Sequence, residues 1–224
     1  MGLHPGFIYT VWKILKDNKL FETKKKKMKD NKTPHKGLYP TVAISDTFNA
    51  AGNYMAAWTC MSCNHQAAAY GFLVVAIAAS VGVLRFGFSE RAFAKANGDL
   101  ADAAAFVGLP LVGLDFLIHP AGSDEISRAF FVLLLALSLS RSLSEGALEL
   151  AKIVLNVACL VGPVLVHAHR AGDWQAAAAI GTFAFAGIVI GADRHRCLLG
   201  VRRENWFHYF LGSSLYWLAL RLCA

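Results

Sequence analysis

The chain has 224 residues, of which 56% are hydrophobic and 17% charged, with a formal net charge of +7 and a mean hydropathy of +0.44. Soluble domains carry about 25% charged residues, so this composition argues against an ordinary water-soluble fold. The charge is also local: residues 1–65 hold ten Lys against four acidic residues, whereas the remaining 159 residues hold twelve basic and eleven acidic groups. No zinc finger, recognition helix or RNA-binding aromatic signature accompanies it, which excludes a nucleic-acid-binding body.

Residues 1–40 read as a basic, disordered tail, centred on "KKKKMKDNKTPHK". "FIYTVW" is too short an apolar run for a cleavable secretory signal. The basic residues change identity along the chain, with no Arg in residues 1–65 and ten Arg beside two Lys afterwards. That seam suits either a cytoplasmic arm lying on anionic lipid, at about 1 kcal/mol per Lys, or an alternative first exon.

Residues 41–65 form a weakly apolar segment interrupted by Asp46, Asn49 and Asn53, a candidate first span. It ends in "CMSCNH", where Cys60, Cys63 and His65 have the spacing of an incomplete zinc site. The other cysteines are Cys159, Cys197 and Cys223, and five scattered thiols imply no disulfide framework.

Residues 66–224 are apolar runs parted by short charged breaks. About 20 apolar residues span the hydrocarbon core as a helix. Six windows meet that length: Ala67–Leu84, Leu100–His119, Ile126–Leu143, Ala147–His167, Trp174–Ala192 and Asn205–Leu222. Backbone groups in lipid must bond internally, so the expected fold is all-α, a polytopic transmembrane bundle of six or seven helices. The protein is thus read as an integral component of the endomembrane system or plasma membrane.

Charge bias orients it. With six spans, the breaks at 85–99, 141–152 and 193–204 share one side and carry nine Arg or Lys. The opposite side carries Arg128, Arg170 and Arg221. The basic side is cytoplasmic, yet six spans would put the lysine tail on the other face. A seventh crossing by residues 41–63 removes the conflict.

Ionisable groups inside spans are functional candidates by default. Asp115 and His119 are one turn apart, and His167 and His169 end another span at the same level. Asp115, His119 and His167 form the candidate metal or proton-relay set, with His169 beside them as a further catalytic candidate. At the cytoplasmic level lie Asp102, Glu145, Glu149 and Lys152, then Asp193, His195 and His208. Glu149 and Lys152 have the spacing of a surface pair on one helix.

Pro110 and Pro163 interrupt two windows and free carbonyls that could line a cavity. Gly187 and Gly191, like Ala78 and Gly82, have the small-residue spacing of helix-packing faces, and the first pair is the candidate contact with a partner helix. Trp174, Trp206, Tyr209, Tyr216 and Trp217 near span ends are membrane-interface anchors.

No GxSxG, HExxH, Walker or GxGxxG pattern is present, no motif calls for a cofactor, and no inverted repeat or potassium-filter sequence is seen. The leading expectation is a non-enzymatic membrane bundle with an assembly, trafficking or lipid-organising role. The alternatives are an intramembrane metal-dependent lipid hydrolase and a proton- or ion-coupled carrier, each using Asp115, His119 and His167.

Overall fold

Pro40 opens the first helix, at a position where a missing N–H costs nothing. The computed structural model describes residues 39–118, 123–191 and 197–224. His119, Asp193, His195 and the lysine tail lie outside that set. The described residues form seven helices: α1 (Pro40–Ser62), α2 (Gln66–Gly87), α3 (Glu90–Leu117), α4 (Ser123–Ser140), α5 (Glu145–Ala171), α6 (Trp174–Ile190) and α7 (Arg203–Leu222). A two-residue antiparallel hairpin, Cys197–Leu198 against Val201–Arg202, precedes α7.

Local chemistry sets the helix ends. Ser89 caps α3 by accepting from the Ala92 amide at 3.3 Å. Asp173 caps α6 through the Gln175 and Ala176 amides, both at 3.1 Å, and receives Arg221 of α7 at 3.0 Å. Burial opposes ionisation of Asp173, but the Ala176 amide, Arg221 and the Gln175 amide together hold its carboxyl below the usual carboxylate range. The last helix is thereby tied to the start of the sixth.

Helix α2 packs between α1 and α3; α7 covers the other flank of α1, and α5 and α6 complete the bundle. The main core joins α1, α2, α3, α5, α6 and α7 around Phe72, Leu160, Ile180, Leu215 and Leu218. A second core seats Leu133 and Leu137 of α4 on Phe106, Val107 and Leu111 of α3, with Leu148 and Leu155 of α5.

Helices α2, α3 and α5 are long and apolar enough to cross a membrane, with 22, 28 and 27 residues. By the same measure the other expected windows fall short. α4 and α6 are apolar but shorter, while α1 (23 residues) and α7 (20 residues) are long enough but diluted by polar side chains. α3 also begins ten residues before its apolar window, and its first fourteen residues bury no side chain.

The prolines act differently from expectation. Each follows a π turn: Ala104–Gly108 precedes Pro110, and Val157–Val161 precedes Pro163. The Leu109 amide bonds back to the Ala104 carbonyl and the Gly162 amide to that of Val157, each five residues behind. A proline lacks the amide for the carbonyl four residues behind it and collides with that carbonyl. One widened turn relieves both problems. For Pro163 the carbonyl in question belongs to Cys159. Rather than lining a cavity, it lies against Gly113 of α3, so closely that any Cβ there would overlap it. The π turn and the glycine together make the α3–α5 crossing.

Gly191 has φ 62° and ψ 163° and stands beyond the end of α6, so Gly187 and Gly191 do not share one helical groove. Gly82 serves no helix-to-helix backbone contact either. The space where its Cβ would be is filled by the Asp46 carboxylate of α1.

Replacing Gly113 with Val is expected to force α3 off α5 at a cost of about 1–3 kcal/mol, read as a lower thermal midpoint in detergent. At Gly181 an added Cβ would meet no atom within 4 Å, so Gly181→Ala does not lower the midpoint.

Candidate functional site

Two carboxylate–imidazole couples are buried in the bundle, at opposite ends of α1. Asp115 is 1% exposed and His65 7%. Asp115 Oδ2 accepts from the Ala68 amide at 2.6 Å, and its Oδ1 lies 3.4 Å from His65 Nδ1. Ala68 is the third residue of α2, and no side chain of the preceding turn caps that helix. The carboxylate therefore arrives from α3 to do the work of an N-cap, satisfying an orphan amide and complementing the positive end of the α2 dipole. That accounts for an acidic residue inside an apolar helix.

His167 is not the partner found for Asp115. Its ring meets the neighbouring Phe116 edge-on, with centroids 5.2 Å apart. His169 is exposed near the end of α5. Among the described residues no three His, Cys, Asp or Glu side chains are grouped as a metal ion would require. The Cys60–Cys63–His65 spacing likewise yields no metal set, since His65 is turned to Asp115.

The second couple was not anticipated as a site. His208 Nδ1 of α7 lies 2.8 Å from Asp46 Oδ1 and 3.3 Å from the Ser45 hydroxyl of α1. Ser45 Oγ also donates to the Val42 carbonyl at 2.9 Å and approaches Asn205 Oδ1 at 3.5 Å. Asp46 is 4% exposed, and its Oδ2, which faces Gly82, has no hydrogen-bond partner among the described residues. One turn further, Asn53 Nδ2 donates to the carbonyl and side-chain oxygen of Asn49 at 2.8 and 2.9 Å. A serine, a histidine and an aspartate thus meet, but both contacts fall on the same ring nitrogen. A relay from Ser through His to Asp needs both nitrogens, so this is not a nucleophile triad.

The sequence carried a signal for this seam. The buried residues Val42, Asp46, Asn49, Asn53, Ala56 and Cys60 recur at alternate spacings of four and three, which places them on one helical stripe. The opposite face exposes Ile44, Phe48, Met55, Trp58 and Met61, with Trp58 at 77%. Averaging hydropathy over the window hid an ordered arrangement of polar and apolar faces.

At the other polar level, Lys152 bonds to Glu149 at 2.9 Å, as its spacing suggested, and also to Asp102 of α3 at 2.7 Å. One ammonium thus ties α5 to α3 through two carboxylates. Nearby, a cavity of about 310 Å³ is lined by Lys95, Asp99, Asp102, Leu137 and Arg141. Its mixed charges balance, and a partly exposed pair of this kind adds at most about 1 kcal/mol.

The chain matches no protein-family model, no curated protein and no solved structure. Function therefore has to follow from geometry alone.

If Asp115 serves as a cap, Asp115→Ala strands the buried Ala68 amide and is expected to cost about 1–3 kcal/mol. Asp115→Asn retains an acceptor oxygen and should recover most of that loss. Thermal midpoints in detergent decide it: equal losses for both variants would show that the negative charge, not the cap, is what matters.

Proposed function

We propose that this chain is a multi-pass integral membrane protein whose seven helices all cross the bilayer, and that the bundle acts as a non-enzymatic element of assembly, trafficking or lipid organisation. The inverted polarity of α1 supports this most directly. A helix at a water-facing surface buries its apolar stripe and exposes its polar one. α1 does the reverse, turning Asp46, Asn49 and Asn53 inward and Ile44, Phe48, Met55 and Trp58 outward. Such a helix is stable where the surroundings are hydrocarbon and polar groups find partners only inside the bundle. The outer faces of α4, α5 and α6 are also apolar, with Phe131, Val154 and Ile188 among the exposed residues.

The short helices fit this reading. α6 would span about 25 Å at 1.5 Å per residue, which a locally thinned bilayer accommodates at modest cost. Gly187, exposed beside Ile188 and Val189, leaves an outward strip of α6 open to a partner helix. Seven crossings put the lysine tail and the Cys197 hairpin in the cytoplasm, with Cys63 and Cys223 on the far side.

Single-cysteine variants in sealed vesicles, probed with a membrane-impermeant maleimide, test the topology. Cys63 should label from one side, and both Cys197 and Lys36→Cys from the other. If Lys36→Cys and Cys63 label from the same side, α1 does not cross.

A second reading, a proton-coupled carrier, is favoured by one observation: the buried Asp46–His208 couple keeps one carboxylate oxygen without a partner among the described residues. It moves the titrating role from Asp115 to Asp46. In liposomes carrying a pH-sensitive dye, a pH gradient should then collapse faster with the wild-type chain than with Asp46→Asn, while Asp115→Asn behaves like wild type. Equal rates for wild type and Asp46→Asn would discard the carrier.

A further inference from the structure

Three of the five cysteines, scattered in sequence, lie at one end of the bundle. Cys60 lies fully buried in the last turn of α1, and Cys63 follows that helix with its side chain exposed. Cys223 follows α7 and is half-buried. Its Sγ donates to the Thr59 carbonyl of α1 at 3.5 Å, and the same carbonyl accepts from the Cys63 amide at 3.2 Å, so Cys223 and Cys63 adjoin at one backbone oxygen. Cys159 lies in the middle of α5 and Cys197 in the hairpin before α7, apart from the cluster.

We propose that Cys63 and Cys223 are a redox-active thiol pair that closes to a disulfide across the ends of α1 and α7. Accessibility assigns the roles. Cys63 is the thiol an outside reagent can reach, since Cys60 is sealed in the core. Cys223 shares the Thr59 carbonyl with the Cys63 amide, which sets the two residues side by side. Both residues stand just past a helix terminus, where the backbone can adjust without unwinding a turn.

The chemistry requires a disulfide-bearing oxidant. The Cys63 thiolate attacks one oxidant sulfur, forming a mixed disulfide and expelling the first oxidant thiolate. The Cys223 thiolate then attacks the Cys63 sulfur, forming the intramolecular bond and expelling the second. The two protons lost by the cysteines end on the two departing thiols, and the oxidant is reduced by two electrons. The product joins two helices that already meet at the glycine approach of Gly52 and Gly212, the Asp46–His208 couple and the shared apolar core.

The test uses the full chain in detergent, equilibrated in a glutathione buffer poised to be oxidising, then alkylated and mapped by mass spectrometry. The expected result is a monomer that takes up two fewer alkyl groups than the reduced chain, with a Cys63–Cys223 cross-linked peptide and a higher thermal midpoint, all reversed by dithiothreitol. Cys197→Ser retains the bond, and Cys63→Ser, a change at an exposed site, loses it. Thiols that stay reduced, glutathione adducts without an internal bond, a Cys60–Cys223 bond in the wild-type chain, or dimers through Cys197 would each overturn the proposal.

Discussion

The polar stripe of α1 is the constraint around which the bundle is arranged. Asp46, Asn49 and Asn53 are buried, so α1 must be flanked on that side by helices able to receive them. α2 supplies space, with Gly82 admitting the Asp46 carboxylate, and α7 supplies partners, with His208 and Asn205. Both services are possible only if α1 sits between these two helices. Seating α7 on α1 then brings the ends of the two helices together, which gathers Cys60, Cys63 and Cys223 and sets Arg221 against Asp173.

Close approach does the rest. Under the membrane reading proposed above, pressing one apolar helix on another brings no hydrophobic gain, so contact depends on dispersion and on short backbone distances. The bundle uses glycine where backbones meet: Gly52 with Gly212, Gly71 with Gly108, and Gly113 with the Cys159 carbonyl. The last of these joins a proline's side effect to a packing device. Pro163 removes the amide that Cys159 would have used, the helix widens, and the neighbouring helix closes on the exposed oxygen.

The two buried couples have different characters. Asp115 is bound to a helix terminus and to His65, which makes its carboxyl group part of the frame. Among the described residues Asp46 is bound on one oxygen only. A carboxylate that caps a helix is committed to the frame, whereas one with an oxygen that has no partner among the described residues is not. For that reason the carrier reading follows Asp46 and the scaffold reading follows Asp115.

The sequence alone determined that the chain is helical and oily and where most helices run, because those properties depend on local composition and on a period of 3.6 residues. The start of α3, the widened turns and the polar face of α1 were less legible: a window average discards the angular position of each side chain. Residue pairs were out of reach altogether. Asp115 with the Ala68 amide, Asp46 with His208, and Cys223 with the Thr59 carbonyl are separated by 47 to 164 positions. Helices in a bundle touch through choices of neighbour and rotation that no local pattern encodes, and tertiary packing made those choices by finding partners for the buried polar groups.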